Sequence, residues 1–146
     1  MPTHYKLIQR IMKISIATNW DDARKEWSID QIYYDEDGDT CLCGHNPIKE
    51  VIIILNKINK KFTIIGNCCV NVVFNKDHTS IFNALRQNKI NRKIIDHGLK
   101  QGWLNLKEYR FACDVWRCRI LSKKQHDWFE KIRQRLVFRM KRGDYK

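Results

Sequence analysis

Residues 41–45 read Cys-Leu-Cys-Gly-His and residues 66–69 read Gly-Asn-Cys-Cys, with two β-branched runs, 51–55 and 62–65, between them. No other feature constrains the fold of this chain as strongly. Cys41, Cys43 and His45 stand at i, i+2 and i+4, a spacing that wraps three donors around one point across a tight turn. Gly44 relaxes the backbone there. The polar segment 56–61 between the two runs reads as the loop of a β-hairpin. A hairpin returns the chain to its start, so Cys68 and Cys69 arrive beside the first turn. Zinc takes four soft or borderline ligands in a tetrahedron, and two turns brought together in this way supply them. The expected ligands are Cys41, Cys43, His45 and Cys69, with Cys68 as the substitute for the last. Treble-clef modules place their ligands in this manner, although their first half is usually C-x-x-C. The alternatives are inert core thiols, since buried free Cys is an ordinary small hydrophobe, or redox-active thiols. A filled zinc site contributes on the order of 10 kcal/mol to a small fold. Cys113 and Cys118 are five apart on an expected helix and share no face, so they read as core.

Charge is the second constraint. The chain of 146 residues carries 28 Lys plus Arg against 16 Asp plus Glu, a formal charge of +12. The distribution is uneven: residues 20–50 hold nine acids against three bases, whereas residues 116–146 hold eleven bases against three acids. A basic end of this kind is the electrostatic footprint of a nucleic-acid surface, although a Lys/Arg-rich helix is also an ordinary solvated face. With 43% hydrophobic residues the chain can build a core, and with only 2 Pro it has no composition for a long linker. No run approaches the ~20 apolar residues of a membrane helix. The first sixteen residues carry Lys6, Arg10 and Lys13 and lack the apolar stretch of a signal peptide. The expectation is a soluble, intracellular protein, in cytoplasm or nucleus, whose cysteines are not a disulfide framework.

The coarse element pattern follows from caps and periodicity. Thr18 or Asn19 caps a short helix over 20–27, with Asp21 and Asp22 in its first turn. Residues 28–34 alternate imperfectly and predict a strand or an extended lead-in. The polar run 35–39 (Asp-Glu-Asp-Gly-Asp) reads as a turn. Beyond the hairpin the chain is helical in character. Thr79 or Ser80 caps a helix running to Gln87, and a second spans 91–99, stopped by Gly98 and Gly102. Asn105 with Glu108 opens a third towards Arg119, and Ser122 with Gln125 opens the last; both are capping-box spacings. In that last helix Trp128, Phe129, Ile132, Leu136 and Met140 form an apolar stripe. The predicted fold class is α+β: a zinc-stapled, treble-clef-like hairpin region over 18–75 and a basic helical region over 79–142, within a single domain.

These residues also carry a resemblance. The pattern comprises Trp20, Ala23, Glu26-Trp27, Cys41-x-Cys43-Gly44-His45, Ile48-Lys49-Glu50, Asn56, Gly66-x-x-Cys69-Val70 and Phe74. It continues with Asp114-x-x-Arg117-x-Arg119-x-Leu121-Ser122-x-Lys124-Gln125. It resembles a widespread family of small zinc-finger-like proteins of bacteria, phages and large DNA viruses, over about residues 18–137. Two departures stand out: Ile58-Asn59 replaces the usual Thr-Gly of the hairpin loop, and Cys68 occupies a position where a non-ligand is usual. The resemblance implies a zinc site and brings no defined activity with it. The over-use of Ile, Asn and Lys, typical of an AT-rich genome, fits a viral, phage or low-GC bacterial origin.

Three functions follow as expectations. The first is a non-enzymatic, zinc-stabilised protein that binds DNA or RNA. Its contacts would be Arg117, Arg119, Lys123, Lys124, Lys131, Arg133, Arg135, Arg139, Lys141 and Arg142. The second is a zinc-stabilised protein–protein adaptor, using the acidic strip 35–39 with Tyr33 and Tyr34 as exposed anchors. The third is an HNH-like nuclease, echoed faintly by Asp77-His78 and Asn91-Arg92-Lys93. Asp77-His78-Thr79-Ser80 reads better as a polar loop with a helix cap. His4, His97 and His126 are isolated and read as surface or capping residues. Trp103, Trp116 and Trp128, near basic residues, read as core before they read as base-stacking platforms. No phosphate-binding loop or catalytic elbow is present, and no catalytic residue is expected.

Overall fold

The computed structural model describes residues 3–141, and the chain forms two compact units, 1–78 and 79–146. The architecture is α+β, with seven helices and a three-stranded antiparallel sheet among the described residues. None of these helices is long and apolar enough to cross a membrane.

The first unit opens with α1 (Thr3–Lys13), a helix the sequence reading did not assign. Its signal is Leu7 and Ile11, one turn apart and both fully buried. Next comes α2 (Trp20–Lys25), capped by Asn19, whose side chain accepts from the Asp22 amide. It stops two residues short of the expected end. Glu26 and Trp27 are buried and otherwise engaged, for Trp27 pairs with Asn56 as the first residue of β1 (Trp27–Asp39). Strand β1 pairs with β2 (Ile48–Asn56), and β2 with β3 (Phe62–Gly66), in the order β1-β2-β3. The expected hairpin is therefore present, longer on its first strand.

The acidic run 35–39 is not a turn but the end of β1. The pairing is irregular between Tyr34 and Asp39, and that slack carries the strand past its acids to pair Asp39 with Ile48. Gly38 has φ +87°, and a side chain there would meet the Cβ of Pro47 at 2.5 Å. Asp35 is buried and accepts from the Asp37 amide. Tyr33 is buried and Tyr34 half-buried, so neither is the exposed anchor that the adaptor reading assigned. After β3 the chain enters α3 (Asn67–Phe74) directly, ending on Asn75 in the left-handed region at φ 58°. Val51, Ile52, Ile54 and Ile65 of the sheet, with Val70 and Val73 of α3, form the core together with α1.

The second unit contains α4 (Thr79–Arg86), α5 (Arg92–Lys100), α6 (Leu106–Val115) and α7 (Lys123–Arg139). Asn91 caps α5, and reciprocal capping boxes start α6 at Asn105/Glu108 and α7 at Ser122/Gln125. Gly98 does not stop α5. It lies inside the helix because a Cβ there would approach Leu136 Cδ2 to 2.5 Å, so a close helix crossing requires glycine. Gly102, at φ +80°, lies just beyond the end. Helix α6 ends at Val115, not at Arg119. The α7 stripe buries Ile132, Leu136 and Met140, joined by Val137; Trp128 is half-buried and stacks on Phe111 at 3.9 Å between ring centroids. Trp103 and Trp116 are likewise half-buried. His97, expected at the surface, is buried edge-on to Trp103. Cys118, expected in the core, is exposed because α6 ends before it.

Candidate metal centre and cationic surface

The turn between β1 and β2 is fastened at three points. The Cys41 amide donates to the His45 carbonyl at 3.0 Å, the Gly44 amide to the Cys41 carbonyl at 2.8 Å, and the Leu42 amide to Ile64 of β3 at 2.8 Å. Gly44, at φ +101°, makes the reversal. Arg10 of α1 donates to the Leu42 carbonyl at 2.6 Å and ties the helix to the turn. This places Cys41 and Cys43 facing the first turn of α3, where Cys69 points inward. The Sγ atoms of Cys41, Cys43 and Cys69 all lie within 4.8 Å of one another, and all three residues are buried. Cys41 and Cys69 are 3.5 Å apart. A tetrahedral zinc with its usual sulfur bonds holds sulfurs about 3.8 Å apart, so the cluster has the dimensions of a thiolate metal site.

The electrostatics favour a cation. The hydrogen bond shared with Cys69 holds the Cys41 thiol well below the ordinary thiol range, against the cost of burial. The amides of Cys43 and Gly66 assist, the latter donating to Cys41 Sγ at 3.4 Å. The same contact, with burial and the neighbouring sulfur charge, pushes Cys69 up. One thiolate here opposes ionisation of the next. A divalent cation reverses that opposition and lets the sulfurs ionise together.

Of the four expected ligands, three converge. His45 is exposed and stands outside the group of three sulfurs, and its carbonyl closes the turn. It does line the same cavity of about 450 Å³ beside the cluster, with His4, Glu50 and Cys68. Cys68 is exposed and is not part of the cluster. Consecutive helical residues are rotated by about 100°, so α3 turns Cys69 in and Cys68 out. His4 was missed as a cavity residue because α1 was missed. Leu7 and Ile11 were the available signal.

The second unit carries the charge. Residues 1–78 hold ten bases and ten acids, whereas residues 79–146 hold eighteen bases and six acids. The whole net charge of +12 therefore belongs to the helical unit. The expected contact residues divide by environment. Arg117, Arg119, Lys123, Lys124, Lys131 and Arg139 are exposed. Arg133 is half-buried, pairs with Glu130 and donates to the Asn88 carbonyl. Arg135 is also half-buried; it donates to the Trp103 carbonyl at 3.1 Å and to Glu108 at 2.7 Å. Lys141 is half-buried, and Arg142 lies outside the described residues. The Glu108 carboxylate sits below its ordinary range despite burial, through the Asn105 amide and Arg135. Arg133 and Arg135 are thus engaged in bonds within the helical unit. Asn91, of the nuclease echo, is a helix cap that also donates to the Ser80 carbonyl at 3.0 Å, and Arg92 pairs with Asp96. Comparison with family models, with curated proteins and with solved structures finds no match for this chain.

Proposed function

We propose that this chain is a non-enzymatic, zinc-binding protein that binds nucleic acid through its helical unit. Cys41, Cys43 and Cys69 supply three thiolates, and His45, which lines the same cavity, is the fourth ligand of the tetrahedron. A ligand-bearing turn, a hairpin and a helix that brings a further ligand in its first turn make a treble-clef-like module. Three cysteines and one histidine in a tetrahedron are a usual ligand set of structural zinc. Six free cysteines suit a reducing, intracellular compartment.

The observation that carries the nucleic-acid reading is the partition of charge: a neutral metal-binding unit and a helical unit holding all of the excess. A basic unit of this kind attracts phosphates by counterion release, without needing base recognition. Lys124 and Lys131, two turns apart on α7, share a face, with Arg117, Arg119 and Lys123 just before the helix or at its start. Of the anchors named for the protein–protein reading, Tyr33 is buried and Tyr34 half-buried. The test is a fluorescence-anisotropy titration of duplex DNA and single-stranded RNA across salt. Six phosphate contacts give a slope of log K against log salt near −5 on duplex DNA. Absence of binding to either polymer at low salt refutes the proposal.

A further inference from the structure

Ile120 is 92% exposed, more than any other large hydrophobic residue among the described ones. It lies in the segment that joins α6 to α7. A single apolar side chain in water is ordinary on a protein surface, but the surroundings of this one are specific. Residues 115–126 hold four bases, Arg117, Arg119, Lys123 and Lys124, and no acid. All four bases are exposed. The segment is also held at both ends. The Trp116 amide donates to the Ala112 carbonyl at 3.0 Å and the Cys118 amide to the Val115 carbonyl at 2.9 Å. The Arg117 guanidinium lies over the Trp116 ring, 4.7 Å from its centroid. At the other end, the capping box of Ser122 and Gln125 sets the start of α7. A cleft of about 680 Å³ opens beside the segment, with Arg119, Ile120, Leu121, Lys123 and Phe129 in its lining. Glu130, the acid in that lining, is paired with Arg133.

A polyanion held by these four bases brings its interior against Ile120. Apolar side chains flanked by bases enter the minor groove and part adjacent base pairs, at the cost of stacking and in return for a bent, better-wrapped duplex. We propose that Ile120 is such a wedge: Arg117, Arg119, Lys123 and Lys124 hold the phosphates of duplex DNA, and the Ile120 side chain inserts between neighbouring base pairs. The inference rests on the nucleic-acid reading above and names the residue that meets the bases. An acidic protein segment would match the charge equally. Ile120 projects almost wholly into solvent, and the wild-type protein binding an acidic peptide but not duplex DNA would overturn the wedge.

The test pairs a gel shift on duplex DNA with relaxation of a closed circular plasmid by topoisomerase in the presence of the protein. Insertion changes helical twist or path, so the wild-type protein shifts the linking number in proportion to the amount bound. Ile120→Ala, checked for unchanged circular dichroism, is expected to bind with affinity reduced roughly tenfold or less. At equal occupancy it leaves the linking number unshifted, whereas Ile120→Phe keeps the shift. Wild-type binding without a linking-number change, or an undiminished change with Ile120→Ala, overturns the wedge and leaves nucleic-acid binding standing. Binding to single strands alone does the same. Failure to bind any nucleic acid removes the proposed function itself, and the wedge with it.

Discussion

Glu26 offers the sharpest test of how the first unit is held together. It is buried, and its carboxylate accepts three hydrogen bonds. Oε1 takes the Ile16 amide at 2.9 Å and Asn56 Nδ2 at 2.8 Å, and Oε2 takes the Ala17 amide at 2.7 Å. The side chain thereby joins the segment after α1 to the hairpin loop. Glu26→Gln keeps the shape and one oxygen, so two of the bonds survive without charge assistance. The new NH₂ group faces the Ala17 amide, donor against donor. Losing one charge-assisted bond and leaving an amide unpaired costs about 2–3 kcal/mol. For a chain of this size that is a fall in melting temperature of roughly 4–10 °C. Thermal melts followed by tryptophan fluorescence read it, with Trp27, one of five tryptophans, adjacent and buried. The pH dependence has a definite sign. The Ile16 amide foremost, with Asn56 and the Ala17 amide, holds the Glu26 carboxyl below its ordinary range despite the cost of burial. A depressed folded-state value means that this stabilisation is present above the unfolded value of 4.5 and is lost as pH falls through the folded one. The gap between wild type and Glu26→Gln should therefore be widest near neutrality and shrink below about pH 4.5. Equal stability at pH 7, or a gap that does not narrow in acid, refutes the role assigned to Glu26.

Cys43→Ser should reduce bound zinc from about one per chain and lower the melting temperature, as chelation of the wild-type protein should; an unchanged melting point in metal-free protein counts against the site, and elemental analysis decides occupancy. Gly98→Ala gains about 1 kcal/mol of helix propensity but drives a Cβ to 2.5 Å from Leu136, in a fully buried environment. Overpacking of this kind costs about 1–3 kcal/mol, so urea titration should show a net loss of up to about 2 kcal/mol, and a stabilised variant would mean the crossing is looser than described. Lys131→Gln should weaken nucleic-acid binding and lessen the salt slope by about 1 with little change in stability. Arg135→Gln should do the reverse, losing stability through its bonds to Glu108 and Trp103; comparable loss of binding from both would show that Arg135 also faces the ligand.

Much of the local structure was legible in the residues. The two β-branched runs, the capping boxes at Asn105 and Ser122 and the α7 stripe are short-range signals, written within a turn or two of chain. The grouping of Cys41 and Cys43 before a hairpin and a cysteine pair after it was equally local. Four matters were not, because each depends on what lies across the fold. Whether Cys68 or Cys69 faces the other sulfurs is decided by where α3 begins, since one residue of helix turns a side chain by about 100°. That the His45 ring stands outside the cluster of three sulfurs is a matter of side-chain placement across the turn, which spacing does not reveal. The acidic run 35–39 looks like a turn until β2 is present to pair with its far end. Gly98 looks like a helix stop until Leu136 is seen against it. The sequence by itself determined most of the elements (though not α1 or the far end of β1), where most of them are capped and how much charge the chain carries. Only the tertiary structure decided which cysteines meet and which arginines are spent on packing. It also drew the boundary that divides the charge between two units, because packing, burial and pairing are relations between residues far apart in the chain.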